Sequence, residues 1–566
     1  MKVVTRPVNQ EVVQQLTKAG INPLLAKLFA ARGIKSSAQL ETSLSGLIPP
    51  GKLTHNTEMA KLLADAISEN KKLLVVGDYD ADGATATVVA VRGLRSMGAN
   101  VDFLVPNRFE YGYGLTPEIV ALAATMQINK QQPDILITVD NGIASVEGVA
   151  AANLLGLQVL VTDHHLPADT TPAAACIINP NQHGCDFPSK NLAGVGVIFY
   201  AMLALRAELR SRGIFAEKPE PNLTELLDIV ALGTVADLVK LDDNNRILVE
   251  QGLRRIRAGK ACSGIMALLK LAGRDYQKVN AQDLGFSLGP RLNAAGRLDD
   301  MSLGIACLLS DDITTAQTLA QKLHELNIAR REIEADMQEG AQIALDEIEV
   351  DDKYSISMYQ PEWHQGVIGI LASRIKEKYH RPVIAFANAA DGNTLKGSGR
   401  SISSLHFRDA LDLLSKRMPD LILKFGGHAM AAGLTIKAHD FERFQQGFEA
   451  VVTHLLTPAD LQAVIQIDGA LDNNEMTLEI AAALESQVWG QGFAPPTFCN
   501  EFTVVDQRIV GEKHLKLRLK KGNMQFEAIY FSQTDFLPES VQAVYQLQVN
   551  QYNGVQSVQL MLRHVV

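Results

Sequence analysis

The sequence predicts an α/β protein: a parallel-sheet domain joined by a long helix to a second α/β domain, with a small antiparallel β-barrel at the C-terminal end. Three observations carry that expectation. Between residues 72 and 240 wholly apolar runs alternate with helical patterns, the signature of a parallel sheet covered by helices. Residues 310–348 read as one uninterrupted helix. From residue 514 onward, apolar and polar positions alternate between short turns, as they do in strands with one wet face.

The 566 residues are 47% hydrophobic and 20% charged, enough apolar material for three or four packed domains. No low-complexity tract and no run of about 18 apolar residues occurs, which excludes a fibrous chain and a membrane-spanning helix and makes the cytoplasm the expected compartment. Five cysteines without a CxxC pair support neither a disulfide framework nor a structural zinc site. A net charge of −10 removes any argument that the whole surface attracts nucleic acid, but it is compatible with a local basic channel.

Residues 1–70 contain helical patterns expected to pack on the core. In the first α/β domain, 71–310, the runs KLLVVG (72–77), DILITV (134–139) and LQVLVT (157–162) are apolar throughout, as strands buried on both faces are. Each stops at an acidic residue: DYDADG, DNG and DHH follow. Ligands bind at the carboxyl ends of strands in open parallel sheets, so the three ends should converge on one crevice. The helix assigned to 311–349 starts at Ser310 or an adjacent Asp and reads as a connector between two lobes. The second α/β domain, 350–460, carries WHQGVIGI and the glycine-rich GSGRS and FGGHAMAAG, and the barrel occupies 461–566.

Asp78, Asp80 and Asp82 stand at alternate positions just past a buried strand, with Gly83 allowing a tight entry into the next helix. An EF-hand is excluded because Val89 occupies the position of the bidentate Glu. Asp140 ends the second strand, and Asp163, His164 and His165 end the third. Taken singly, a strand-end Asp is more often a turn former; three such ends in one βαβ array are not. Asp237 lies in the helical, nearly uncharged IVALGTVADLV, where a buried charge needs a partner and a metal supplies one. Aspartates with one or two imidazoles favour manganese or magnesium over zinc, the imidazole tilting the choice to manganese. At least five ligands are too many for one ion with open positions, so the expectation is two divalent ions and in-line attack of a metal-activated water on phosphorus.

Together DYDADG, VDNG, DHH and GTVADL, in this order, resemble the four signatures of the DHH phosphoesterase superfamily, and GSGR with FGGHAMAAG resembles its associated DHHA1 domain. With WHQGVIGI, GPRLNAAGR, the long helix and the barrel, the resemblance extends over essentially the whole chain to the bacterial single-stranded-DNA-specific 5′→3′ exonucleases of that superfamily. It implies that Asp80, Asp82, Asp140, His164 and Asp237 ligate Mn2+ or Mg2+, with Asp140 bridging both ions. Asp78 is a further candidate, since sequence alone does not decide which acids of that loop face the metals. The resemblance also implies that Asp163 supports the site from behind, orienting the imidazole next to it, and that His165 contacts the scissile phosphate.

A 5′ polarity requires a grip on one end of the strand. Arg108, Arg291, Ser398, Arg400, Gly426, Gly427 and His428 are candidates, because arginine forks and glycine amides suit phosphate, although a lone arginine more often makes a surface salt bridge. The resemblance implies that the second domain holds the 5′ phosphate. His364, beside Trp363, is either another substrate contact or a neighbour of a packed aromatic. In HLKLRLKK, strand alternation puts Lys516, Arg518 and Lys520 on one face, and Tyr530, Tyr545 or Tyr552 are available for base stacking; the resemblance implies an OB-type barrel here.

The implied activity is release of 5′-mononucleotides from single-stranded DNA in repair and recombination, by a monomer acting beside a single-stranded-DNA-binding protein and a repair helicase. Two competing readings are a superfamily phosphodiesterase acting on short oligonucleotides and a catalytically dead nucleic-acid-binding scaffold. Added length and the barrel speak against the first. The presence of every signature acid speaks against the second.

Overall fold

The computed structural model describes residues 1–111, 114–346, 350–552 and 554–566, without the side chains of 108, 109, 346, 351 and 552. The chain divides into two compact units, one of residues 5–324 with 466–566, the other of residues 1–4 with 325–465. Among the described residues no helix is long and apolar enough to cross a membrane, and the five cysteines are free thiols.

In the first unit five parallel strands, β1 (Lys72–Gly77), β2 (Asn100–Leu104), β3 (Ile135–Val139), β4 (Gln158–Thr162) and β5 (Cys176–Ile178), lie in the order β2-β1-β3-β4-β5. β1 and β3 are buried at every position, which explains their unbroken apolar character. The chain leaves β1 toward one side of the sheet and β3 toward the other, so the gap beyond their carboxyl ends is the topological switch point.

Two helices pack tightly behind that gap. α1 (Ala81–Ser96) begins in DYDADG, and α3 (Leu227–Ala236), which follows α2 (Gly194–Ser211), leads to Asp237. A Cβ on Gly233 of α3 would fall 2.1 Å from Thr85 Oγ1 of α1. Only glycine permits that approach, and the approach carries Asp237 toward the β1 loop. A further helix, α4 (Gly289–Leu298), supports the same loop: a Cβ on Gly296 would lie 1.9 Å from Tyr79 O, and Asn293 Oδ1 accepts the Ala81 amide at 2.8 Å.

The long helix α5 runs Ile313–Asp346, 34 residues or about 51 Å at 1.5 Å per residue. Asp312 caps it by accepting the Thr315 amide at 2.7 Å. In the second unit, β6 (Ile356–Tyr359), β7 (Val383–Asn388), β8 (Thr394–Arg400), β9 (Lys424–Gly427) and β10 (Ala431–Lys437) form a mixed sheet ordered β9-β10-β8-β7-β6. Its core gathers Phe386, Phe407, Phe444 and Phe448. α6 (Ile368–Tyr379) packs on β7 and β8.

The C-terminal strands β11 (Phe498–Val510), β12 (His514–Lys521), β13 (Met524–Tyr530), β14 (Ser540–Tyr552) and β15 (Val555–Val565) close into a five-stranded barrel, mostly antiparallel with one parallel pair, β13 and β15. Alternation along β12 buries Leu515, Leu517 and Leu519 in its interior.

Candidate metal centre

The ends of β1, β3, β4 and α3 place their acids and imidazoles in one cluster. Donor atoms of Asp78, Asp80 and Asp140 lie within 4.8 Å of one another, as do those of Asp82, His164 and Asp237, and those of Asp140, His164 and His165. His164 Nε2 stands 3.1 Å from Asp140 Oδ1, 3.6 Å from Asp237 Oδ2 and 3.8 Å from Asp82 Oδ2. Asp140 and His164 each belong to two of the three groups.

Local structure fixes each donor. Asp80 caps α1, its Oδ1 accepting the amides of Asp82 and Gly83 at 2.9 and 3.0 Å. Asp82 is held from the opposite side by the first amides of α2: Gly194 donates to Oδ2 at 2.6 Å and Val195 to Oδ1 at 2.9 Å. Asp140 adopts φ 62°, a left-handed conformation that non-glycine residues rarely hold and that clusters at functional sites. The neighbouring Asn141 donates to Val76 O and Val139 O, tying the ends of β1 and β3 together. Asp163 accepts the amides of His164, His165 and Ile143, and its Oδ1 lies 2.7 Å from His165 Nδ1. Its Oδ1 thereby holds the two histidine amides and the His165 ring, while Oδ2 ties the loop after β3 through Ile143.

The electrostatics set what the cluster can hold. Burial, then the Asp80 charge, pushes the Asp82 carboxyl up to about 7 against the pull of the two α2 amides. Burial and the neighbouring aspartates drive Asp140 and Asp237 well above the ordinary carboxylate range. His165 goes the other way: burial opposes its charge, but the Asp163 hydrogen bond and charge, with Asp78 and Asp237, hold it up to about 9. Asp140 Oδ1 is buried and accepts no hydrogen bond among the described residues. Carboxylates this close ionise together only around cations, so the donor set fits divalent ions with hard, oxygen-rich coordination.

In one respect the sequence expectation needs correcting. Asp237 does not lie within a helix: α3 ends at Ala236, Asp237 is its C-cap, and Leu238 turns away at φ 60°. Helix propensity ran on through ADLV because leucine carries no stop signal.

The second unit gathers a different set of groups. Along β8 the glycines of GSGR face inward, where a Cβ on Gly397 or Gly399 would meet Phe386 or Phe407, so Ser398 and Arg400 point the other way. There Arg400 Nη1 donates to Ser398 Oγ at 3.2 Å, and Gly369 in the first turn of α6 leaves room, its Cβ position being 2.8 Å from Arg400 Nη2 and 2.9 Å from Ser398 Oγ. The register aligns Ser398 with Gly433 and Gly433 with Gly426. A Cβ on Gly426 would touch nothing within 4 Å, and one on Gly433 would approach only Gly397 O, at 3.9 Å, so this row is an open backbone shelf beside the arginine. Gly427 faces the sheet at φ 146°, and the His428 amide closes the β9–β10 hairpin on Ala431 O at 2.8 Å.

Family models match the chain in three places: the DHH family N-terminal domain over residues 72–234, the DHHA1 domain over 351–454 and the RecJ OB domain over 467–564. The single-stranded-DNA-specific exonuclease RecJ of Salmonella typhimurium is 52% identical over 558 residues, 96% of each chain. The chain belongs to the RecJ family. RecJ of Escherichia coli is likewise 52% identical, over 97% of this chain and 96% of its own. Among solved structures, Thermus thermophilus RecJ in complex with Mn2+ superposes with a TM-score of 0.83 at 30% identity, covering 100% of this chain and 79% of that one. Its Mg2+ complex gives 0.77 at 29%, covering 100% and 78%. The α/β domains, the barrel and the DHH/DHHA1 resemblance read from the sequence accord with these RecJ comparisons.

The remaining residues singled out from the sequence stand as follows. Arg291 is buried, its guanidinium donating to Ser287 O through Nη1 and to His324 Nδ1 through Nε. Arg108 and Tyr552 lie outside the described side chains. His364 is half-buried and accepts the Gly366 amide through Nδ1 at 3.1 Å, and Trp363 packs in the core. Of the barrel stripe, Lys516 and Arg518 share Glu527 at 3.0 and 3.8 Å, while Lys520 is exposed. Tyr545 is unsuited to stacking: it is fully buried and its hydroxyl lies 2.8 Å from Asn500 Oδ1. Sequence reasoning missed Gly194, Val195 and Gly369; the GVG at the start of α2 and the glycine of VIGI were the available signals, since small residues at a helix start let an anion approach its amides.

Proposed function

We propose that the chain is a metal-dependent exonuclease that hydrolyses single-stranded DNA from the 5′ end and releases 5′-mononucleotides. The observation that carries this reading is the cluster of buried carboxylates and imidazole at the switch point, in a chain half identical to RecJ exonucleases throughout its length. Asp78, Asp80, Asp82, Asp140, His164 and Asp237 would hold two Mn2+ or Mg2+ ions. Such ions supply an activated water and charge stabilisation for in-line displacement at phosphorus.

The remaining roles belong to the chain's own groups. Asp163 orients His164 and His165 through the bonds described. His165, its Nδ1 set 2.7 Å from Asp163 Oδ1, contacts the scissile phosphate. Ser398, Arg400, the Gly426–Gly427 backbone and His428 grip a terminal phosphate, with Gly369 providing the space. Arg108, Arg291, His364 and the Lys516, Arg518 and Lys520 stripe follow the backbone, and Tyr530 is the barrel's stacking candidate. The same reading puts the chain in the cytoplasm as a monomer in repair and recombination, beside a single-stranded-DNA-binding protein and a helicase.

Digestion of strands labelled at either end, with and without a 5′ phosphate and with metals varied, tests reaction, polarity and cofactor together. Mononucleotides released from the 5′ end, only with Mn2+ or Mg2+ and faster with a 5′ phosphate, are expected. Equal release from both ends, or in EDTA, would refute the proposal.

A further inference from the structure

Three large apolar side chains stand in water, two on segments that bear the metal centre and one on the turn packed against the end of α3. Leu166, just after His165, is 61% exposed; Leu238, just after Asp237, is 64%; Phe286, on the approach to α4, is 74%. Two are held there by unusual backbone. Leu238 adopts φ 60°, a conformation that disfavours a branched side chain. Phe286 sits in the middle of a π-helix, Leu284–Leu288, a form that is rare and frequent at functional sites.

That π-turn rests on the last turn of α3. A Cβ on Gly285 would lie 3.1 Å from Val235 Cγ1, and one on Gly289 would lie 3.2 Å from Ala236 Cβ. Phe286 is therefore mounted on the residues that deliver Asp237, and Asp237 Oδ2 in turn lies 3.6 Å from His164 Nε2. Holding a leucine at φ 60° costs folding free energy that a glycine there would avoid, and Phe286 gives up the burial that a phenylalanine ordinarily gains. A ligand brought to the metal centre and carrying an apolar face is what such side chains suit.

We propose that Phe286 and Leu238, with Leu166, form a platform that takes up unpaired nucleobases of the strand whose phosphate lies at the metal centre, making them specificity-determining residues. This rests on the exonuclease reading above. A flat aromatic face accepts any base by stacking, and leucine acts as the apolar wedge that keeps neighbouring bases apart. A base in a duplex has its edge paired and both faces covered, so it cannot occupy the platform without being unpaired first. The platform would thus contribute to single-strand preference without reading sequence.

The test compares a thymidylate strand with the same strand bearing abasic residues at its 5′ end, both in Mn2+, using the full-length chain. Phe286→Ala should lower kcat/KM on the thymidylate strand about tenfold or more, through KM, while leaving the abasic strand, Mn2+ affinity and Tm unchanged. Phe286→Trp should restore the thymidylate rate. Leu238→Gly, which suits φ 60°, should weaken binding of the thymidylate strand while Tm holds or rises. If Phe286→Ala and Leu238→Gly hydrolyse the thymidylate strand as the unaltered chain does, or lose the same factor on both strands, the platform is wrong. Failure of the unaltered chain to hydrolyse either strand would overturn the exonuclease reading and the platform together.

Discussion

At the level of single residues, the centre is a set of acids whose ordinary ionisation the fold suppresses. A buried carboxyl pushed up to about 7, as Asp82 is, holds a proton in the folded chain that it has lost in the unfolded one between about pH 4 and 7. Without ions, the contribution of such a group to stability is therefore present below the unfolded value and lost as pH rises through the folded one. Divalent ions reverse the sign, because they bind the ionised forms. The rise in Tm on adding Mn2+ should accordingly grow between pH 5.5 and 8 and shrink in Asp140→Asn. An Mn2+ increment in Tm that is flat across that range would contradict the account. The identity of these acids was legible in the sequence because all but Asp237 follow an apolar strand, and Asp237 ends a nearly uncharged helical run. What was not legible is how each is held: Asp82 by the α2 amides more than a hundred residues away, and Asp163 by saturation with hydrogen bonds.

Among the secondary-structure elements, glycine contacts decide whether the acids meet. Gly233 brings α3 onto α1, and Gly296 brings α4 under the Tyr79 carbonyl. Gly296→Ala forces a Cβ into backbone, and overpacking of this kind costs about 1–3 kcal/mol. The expected outcome is a lower unfolding midpoint together with at least tenfold weaker Mn2+ binding, read by urea titration and calorimetry; normal Mn2+ affinity in the variant would show that the loop does not depend on α4. The strands were readable from composition because both faces are buried, and the long helix because nothing interrupts its period. The end of α3 was not, since the terminating left-handed turn falls on Leu238 rather than on a glycine or asparagine.

For the whole molecule, a net charge of −10 coexists with a DNA-directed activity because much of the acid that defines the centre is there to be neutralised by metal. The domain classes could be read from period and composition, whereas the open shelf beside Arg400 depends on the register of three strands, which local sequence does not reveal. The barrel reading was right in kind, but pairing across β12 and β13 sets Glu527 between Lys516 and Arg518, and the basic face is weaker than its sequence suggests. The most direct test of the central claim is anomalous diffraction at the manganese edge from crystals soaked in Mn2+. Two peaks about 3.5–4 Å apart are expected, both within bonding distance of Asp140, one toward Asp78 and Asp80 and the other toward Asp82, His164 and Asp237. No peak among these residues, or unchanged peaks in Asp140→Asn, would contradict it.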